Sequence, residues 1–172
     1  MTRADGRKYN ELRDVTITPD FNKFAEGSVL IRCGDTVVLC TASVEDCDVL
    51  QGDGGTRTAS VTGGFVALAL ACRWLVKEGY IARMPIKHYV AGVSAGIVDD
   101  TAVLDLPYAE DSRAQVDLNC IMNEQGEIIE IQGTGEGRAF TVAEQQELVA
   151  LCAKGNRELI AKQKEVLGDI LR

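Results

Sequence analysis

Histidine is nearly missing from these 172 residues, His88 being the only one. That weakens Ser-His-Asp and Cys-His nucleophilic schemes. None of the six cysteines forms a C-x-x-C pair, and no metal-ligand spacing recurs, which argues against a zinc site. His88, in PIKHYVAGVSAGIV, reads as a strand residue. No G-x-x-x-x-G-K-[ST] loop occurs, and no G-x-G-x-x-G, so the two commonest nucleotide-phosphate fingerprints are excluded. No apolar run reaches transmembrane length, and MTRADGRKYNELR is too polar for a signal peptide. The expectation is a soluble cytoplasmic protein that meets no membrane. Positive charge is also short: 18 Lys and Arg stand against 26 Asp and Glu, a net charge of −8. Nucleic-acid binders usually carry a basic footprint, so the balance counts against RNA as a partner.

What is present describes one globular domain over residues 1–172. Hydrophobic residues make up 46% and glycines number 17, enough for a real core with many turns. Cys33, Cys40, Cys47, Cys72, Cys120 and Cys152 mostly sit in apolar runs such as VVLCTASV and LALACRWL. They read as buried, reduced thiols.

Residues 1–14 form a polar arm that carries Arg3, Arg7 and Arg13. VTITPDF alternates like a strand. SVLIRC and TVVLCTASV flank Gly34-Asp35 as a hairpin. YVAGVSAGIV and TAVLDL turn at Asp99-Asp100, and RAQVDLNCIMN and GEIIEIQGTGEG turn near Gln125-Gly126. Residues 58–78 repeat apolar positions at helical spacing, with Gly63, Gly64, Ala67 and Ala71 small enough for close packing on a sheet. Gly79 is placed to end that helix. A second helix runs from about Thr141 to Leu171, opened by a Thr141/Glu144 capping box and striped with Leu148, Leu151, Leu159, Ile160 and Leu167. The order predicts an α+β domain of mixed sheets packed on helices.

The chain is organised around VLQGDGGTRTASVTGGFVALALACRWLV. A strand signal turns through Gly52-Asp53-Gly54-Gly55 and enters the first helix. Gly55, Thr56, Arg57 and Thr58 stand at the junction. Glycines let backbone N–H groups approach a ligand, a helix start leaves N–H donors unpaired, and arginine offers a planar fork. Together they suit a phosphate. A plain strand-to-helix connection with Thr or Ser as N-cap explains the glycines and hydroxyls, and it leaves Arg57 unexplained. Downstream, LDLPYAEDSRAQVDLN carries Asp105, Glu110, Asp111 and Asp117. Such carboxylates hold Mg²⁺, or donate a proton to a leaving oxygen, or form a solvated acidic loop. Glu127, Glu130 and Glu136 read as exposed strand or turn residues.

DCDVLQGDGGTRTAS with VTGGFVAL closely resembles the core of bacterial ribonuclease PH. So do RADGRKYNELRDVTI, KFAEGSVLIRCGDTVVLCTASVE, DLPYAEDSRAQVDLNCIM and EIIEIQGTGEGRAFT, in the family's order and over nearly the whole chain. The resemblance implies a phosphate-dependent 3′→5′ exoribonuclease that trims tRNA precursors, uses inorganic phosphate and Mg²⁺, and assembles as a hexamer, a trimer of dimers. It implies a phosphate site at Gly55, Thr56 and Arg57, helped by Thr58. It also implies catalytic, metal-associated aspartates at Asp111 and Asp117. The family carries a substantial segment between TASVE and DCDVLQ, with an arginine-bearing loop, a helix and a strand, and here it is absent at Glu45-Asp46. The alternative is a non-catalytic ring subunit or RNA scaffold of the same fold.

Overall fold

The structure, a computed structural model, describes all residues except 1, 2, 4, 24, 26, 43–47, 169, 171 and 172, and for 48–51 the backbone alone. Strands β1 (Val15–Pro19), β2 (Ser28–Cys33), β3 (Thr36–Thr41) and β4 (Asp48–Gln51) form one sheet in chain order. Cys33 pairs with Thr36, so Gly34-Asp35 is the entire turn, and Gly34 takes the left-handed φ of 57°. The second sheet has the order β6-β5-β7-β8, built from β5 (Val90–Val98), β6 (Thr101–Leu104), β7 (Val116–Asn123) and β8 (Ile128–Thr134). Asp99 and Asp100 both take positive φ between β5 and β6, as a tight primed turn requires. Every pairing is antiparallel, so the sheets are antiparallel rather than mixed, while the α+β class stands.

Helix α1 (Thr56–Lys77) packs on β2 and β3 on one side and on β5 on the other. A Cβ at Gly63 would lie 2.7 Å from Ile31 Cγ2 and 2.9 Å from Cys40 Sγ, so glycine there sets the helix-to-sheet distance. Gly64 faces open space and has no such role. On the other side, Thr62 Oγ1 donates to the Gly92 carbonyl at 3.2 Å and accepts from the Gly92 N–H at 3.0 Å. Contrary to the sequence reading, α1 is long and apolar enough to span a membrane by length and composition. It serves here as the core helix between two sheets, and its apolarity answers that double burial. Gly79, with φ 77°, closes the helix as predicted, its N–H meeting the Val76 carbonyl at 3.1 Å.

Helix α3 (Val142–Leu167) covers the opposite face of β5, where Gly155 approaches Val93 and Leu104. The Thr141/Glu144 capping box is formed, and Leu148, Leu151, Leu159, Ile160 and Leu167 are all buried. Each such side chain contributes about 1.5–3 kcal/mol. The helix ends at Gly168 rather than Leu171. Residues from both sheets and both long helices join one hydrophobic cluster. Cys33, Cys40, Cys72, Cys120 and Cys152 are buried and form no disulfide with one another, and Cys47 lies outside the described residues. His88 precedes β5 rather than joining it, exposed and paired with Glu124 at 3.1 Å.

Candidate active site

The glycine turn is where the two sheets and α1 meet. Gly54 and Gly55 both take left-handed φ, 71° and 62°, and Gly55 is the N-cap of α1 with no side chain capping it. A Thr or Ser cap is thereby overturned. The helix starts at Thr56, two residues earlier than the spacing predicts, because the left-handed glycine, and no hydroxyl, ends the turn. Thr56, Arg57 and Thr58 therefore form the first helical turn. The Ala59 N–H makes the first intrahelical bond, to the Gly55 carbonyl at 3.0 Å. The three N–H groups before it face outward with the positive end of the helix dipole. Thr58 is buried, its hydroxyl donating to the Gly55 carbonyl at 3.0 Å.

Beneath the turn lies a network that the sequence reading missed. Arg13 is buried and gives its backbone N–H to Asp105 Oδ2 at 2.7 Å and Nη2 to Asp105 Oδ1 at 2.9 Å. Its other contacts hold the turn itself: Nη1 donates to the Asp53 carbonyl and Nη2 to the Gly54 carbonyl. Arg3 forks onto buried Glu110, with Nη2 to Oε2 at 2.7 Å. Asp105 and Glu110 are thus neither a solvated loop nor Mg²⁺ ligands; they neutralise buried arginines. Burial alone pushes Asp105 upward, and Arg13 and Arg7 outweigh it, so the carboxyl sits below its ordinary range. The polar N-terminal arm is accordingly anchored by two buried arginines, while Asp5, Lys8, Tyr9 and Asp14 stay exposed. Nothing local in the sequence pairs residues this far apart; the only signal was arginine recurring at 3, 7 and 13.

Asp111 and Asp117 lie differently. Asp111 ends a one-turn helix, α2 (Tyr108–Asp111), in the run between β6 and β7. A Cβ at Gly54 would fall 2.5 Å from the Leu106 carbonyl, so only glycine lets the turn press against this segment. Asp53 Oδ1 also accepts from the Tyr108 N–H at 3.2 Å. Asp117, half-buried on β7, pairs across the sheet with Gly96 and Thr134. Among the described residues, neither aspartate is paired with an arginine. Burial and the neighbouring Asp111 push Asp117 up to about 6, and burial and Glu136 raise Asp111. Asp111 thus lies near enough to Asp117 for its charge to act on it. Asn119 Nδ2 donates to Asp117 Oδ2 at 3.1 Å.

Arg57 reaches along the same sheet face. Gln132 is opposite Asn119, and Glu130 is opposite Ile121. Arg57 Nη1 donates to Gln132 Oε1, and Nη2 to Glu130 Oε1. Glu130 is thus more than an exposed strand residue. Asn119, Gln132 and Glu130 were missed, although a period of two from Asp117 points at Asn119. Among the described residues, no three His, Cys, Asp or Glu side chains converge on a metal position.

Comparison with known proteins fits this arrangement. Family models of the 3′ exoribonuclease family match twice, domain 1 over residues 11–48 and domain 2 over residues 88–155. The fold is shared with rice Rrp46 (TM-score 0.77, 17% identity, 96% of this chain and 100% of that one). It is also shared with an archaeal exosome core (TM-score 0.76, 19% identity, 94% and 91%). Fold and site thus define a protein of the 3′ exoribonuclease class. Ribonuclease PH of Moorella thermoacetica is 39% identical over 240 aligned positions, covering 99% of this chain and 96% of the relative. That of Syntrophomonas wolfei is 37% identical over 238, covering 98% and 100%. The chain belongs to the ribonuclease PH family. Both alignments are longer than its 172 residues, so the relatives carry a long stretch with no counterpart here. The Glu45-Asp46 junction, where the resemblance puts that loss, lies outside the described residues.

Proposed function

We propose that this chain is a phosphorolytic 3′→5′ exoribonuclease acting on the 3′ ends of tRNA precursors. Inorganic phosphate attacks the terminal phosphodiester, a nucleoside 5′-diphosphate leaves, and the shortened RNA regains a 3′ hydroxyl. The observation that carries the reading is an unclamped aspartate pair beside a left-handed glycine turn that opens a helix. Phosphate sits at Gly55 and the N–H groups of Thr56, Arg57 and Thr58, an arrangement suited to anions. Arg57 adds the planar fork. Asp117 holds a proton to unusually high pH. With the Asn119 amide on Oδ2, that proton belongs on Oδ1, from which it passes to the departing 3′ oxygen.

Asp111 and, once its proton has gone, Asp117 fit Mg²⁺, which takes one or two carboxylates and fills its remaining positions with water and phosphate oxygens. When bound, the ion offsets the repulsion between phosphate and RNA. The chain acts in the cytoplasm and self-associates as a hexamer, a trimer of dimers. The seven-residue edge strand β8, with Ile128, Ile129 and Ile131 exposed, supports such covering. The non-catalytic alternative gives no reason for two carboxyls kept near one another without a cation.

Two variants test the reading. Arg57→Ala should weaken phosphate binding measured by calorimetry. Asp117→Asn should slow phosphorolysis of a 3′-extended RNA by about 10²–10⁴-fold while leaving RNA binding nearly intact. An Asp117→Asn enzyme as fast as the unaltered chain removes Asp117 from the mechanism.

A further inference from the structure

We propose that Glu130 gates the phosphate site by competing with the anion for Arg57; the inference rests on the phosphate site proposed above. The guanidinium projects from the first turn of α1 with both terminal nitrogens engaged, Nη2 on Glu130 Oε1 and Nη1 on Gln132 Oε1. A carboxylate and a phosphate want the same thing from an arginine, two parallel N–H donors in one plane. Glu130 and Gln132 therefore divide between them the fork that an incoming phosphate needs, and Glu130 holds it by charge.

The surroundings point the same way. The first turn of α1 carries no acidic residue, so the positive helix end has no counter-charge from its own helix. Glu130 supplies one from β8, across the sheet face that also carries Asp117 and Asn119. Arg13, the other guanidinium beside Gly55, is held by Asp105 and Asp53 and is not exchangeable. The Arg57–Glu130 pair is exchangeable: 51% and 44% of the two side chains are exposed. An ion pair of that exposure is weak enough for millimolar anions to displace. Phosphate entry then requires Glu130 to swing away, and Gln132 remains as a neutral rest for Arg57.

The test is calorimetric titration of inorganic phosphate at fixed ionic strength into the unaltered chain and into Glu130→Gln, Glu130→Asp, Arg57→Ala and the Arg57→Ala/Glu130→Gln double variant. Glu130→Gln should bind phosphate about two- to fivefold tighter, the range that an exposed ion pair contributes. Glu130→Asp, which keeps the charge, should stay near the unaltered chain. The gain should vanish in the Arg57→Ala background. Unchanged or weaker binding in Glu130→Gln overturns the gate, and so does an equal gain with and without Arg57, which would reveal only the general field of one fewer negative charge. The phosphate site itself fails separately, if Arg57→Ala binds phosphate as the unaltered chain does.

Discussion

Replacing Asp105 with asparagine should cost more stability than any single change at the cleft. Asp105 is 3% exposed, and its carboxylate accepts from Arg13 N at 2.7 Å, Nε at 3.2 Å and Nη2 at 2.9 Å, from Arg7 Nη1 at 3.4 Å, and from the Cys33 thiol at 3.7 and 3.8 Å. Asparagine tolerates its left-handed φ of 57°, so the backbone is not at issue. The amide supplies one acceptor and turns two N–H donors toward arginines that have none to spare. Removing one member of a buried ion pair costs about 3–5 kcal/mol, because the other charge is left uncompensated. Total stability for a domain is about 5–15 kcal/mol. With a urea slope near 2 kcal/mol/M, the midpoint should fall by about 2 M. Glu165→Gln is the control: its pair with Lys162, at 3.6 Å, is exposed on both sides. That change should stay within about 0.5 kcal/mol. A fall of less than about 0.5 M in the urea midpoint of Asp105→Asn would refute the claim that this carboxylate neutralises a buried cation. Acid adds a second readout. Since the folded carboxyl titrates below its ordinary value of 3.8, its stabilisation is present above that pH and lost as pH falls through the folded value. Asp105→Asn should therefore flatten the acid limb of the stability curve.

Asp117 carries the opposite sign. Its folded value near 6 lies above the ordinary 3.8, so between those values the folded protein keeps a proton that the unfolded chain has lost, and stability falls as pH rises. Asp117→Asn should remove that slope and stabilise the protein at neutral pH by about 1–2 kcal/mol, after allowance for solvent at the cleft mouth, as read by urea midpoints at pH 4.5 and 7. Two adjacent glycines should behave oppositely in thermal unfolding. Gly63→Ala should destabilise by about 1–3 kcal/mol through overpacking against Ile31 and Cys40. Gly64→Ala, which meets nothing within 4 Å, should stabilise by up to about 1 kcal/mol through helix propensity.

The elements that sequence reasoning placed well are those specified locally. Gly34-Asp35 and Asp99-Asp100 turn their hairpins within two residues, so alternation and turn chemistry suffice. The Thr141/Glu144 box likewise closes within one turn. The misjudged start of α1 has a physical cause: hydroxyls mark caps on average, while here a left-handed glycine supplies the geometry and the Thr58 hydroxyl turns inward. The anchoring of the arm was illegible because burying an arginine depends on a partner about a hundred residues away.

The same limit divides the four carboxylates of LDLPYAEDSRAQVDLN. By spacing and composition they are alike, and only the family resemblance sets Asp111 and Asp117 apart from Asp105 and Glu110. The fold separates them by a single variable, whether an arginine reaches them. Arg13 and Arg7 reach Asp105 and hold it ionised; Arg3 reaches Glu110 through Nε and Nη2. Among the described residues no arginine is paired with Asp111 or Asp117, and burial and neighbouring carboxylates raise each, outweighing the pull of Arg13 on Asp111. The first pair therefore anchors the frame through its arginines. The second is left with a charge that folding opposes, which a proton or a cation must settle. On the proposed function, that opposed charge is what would favour a cation beside the two carboxylates or a proton on one of them.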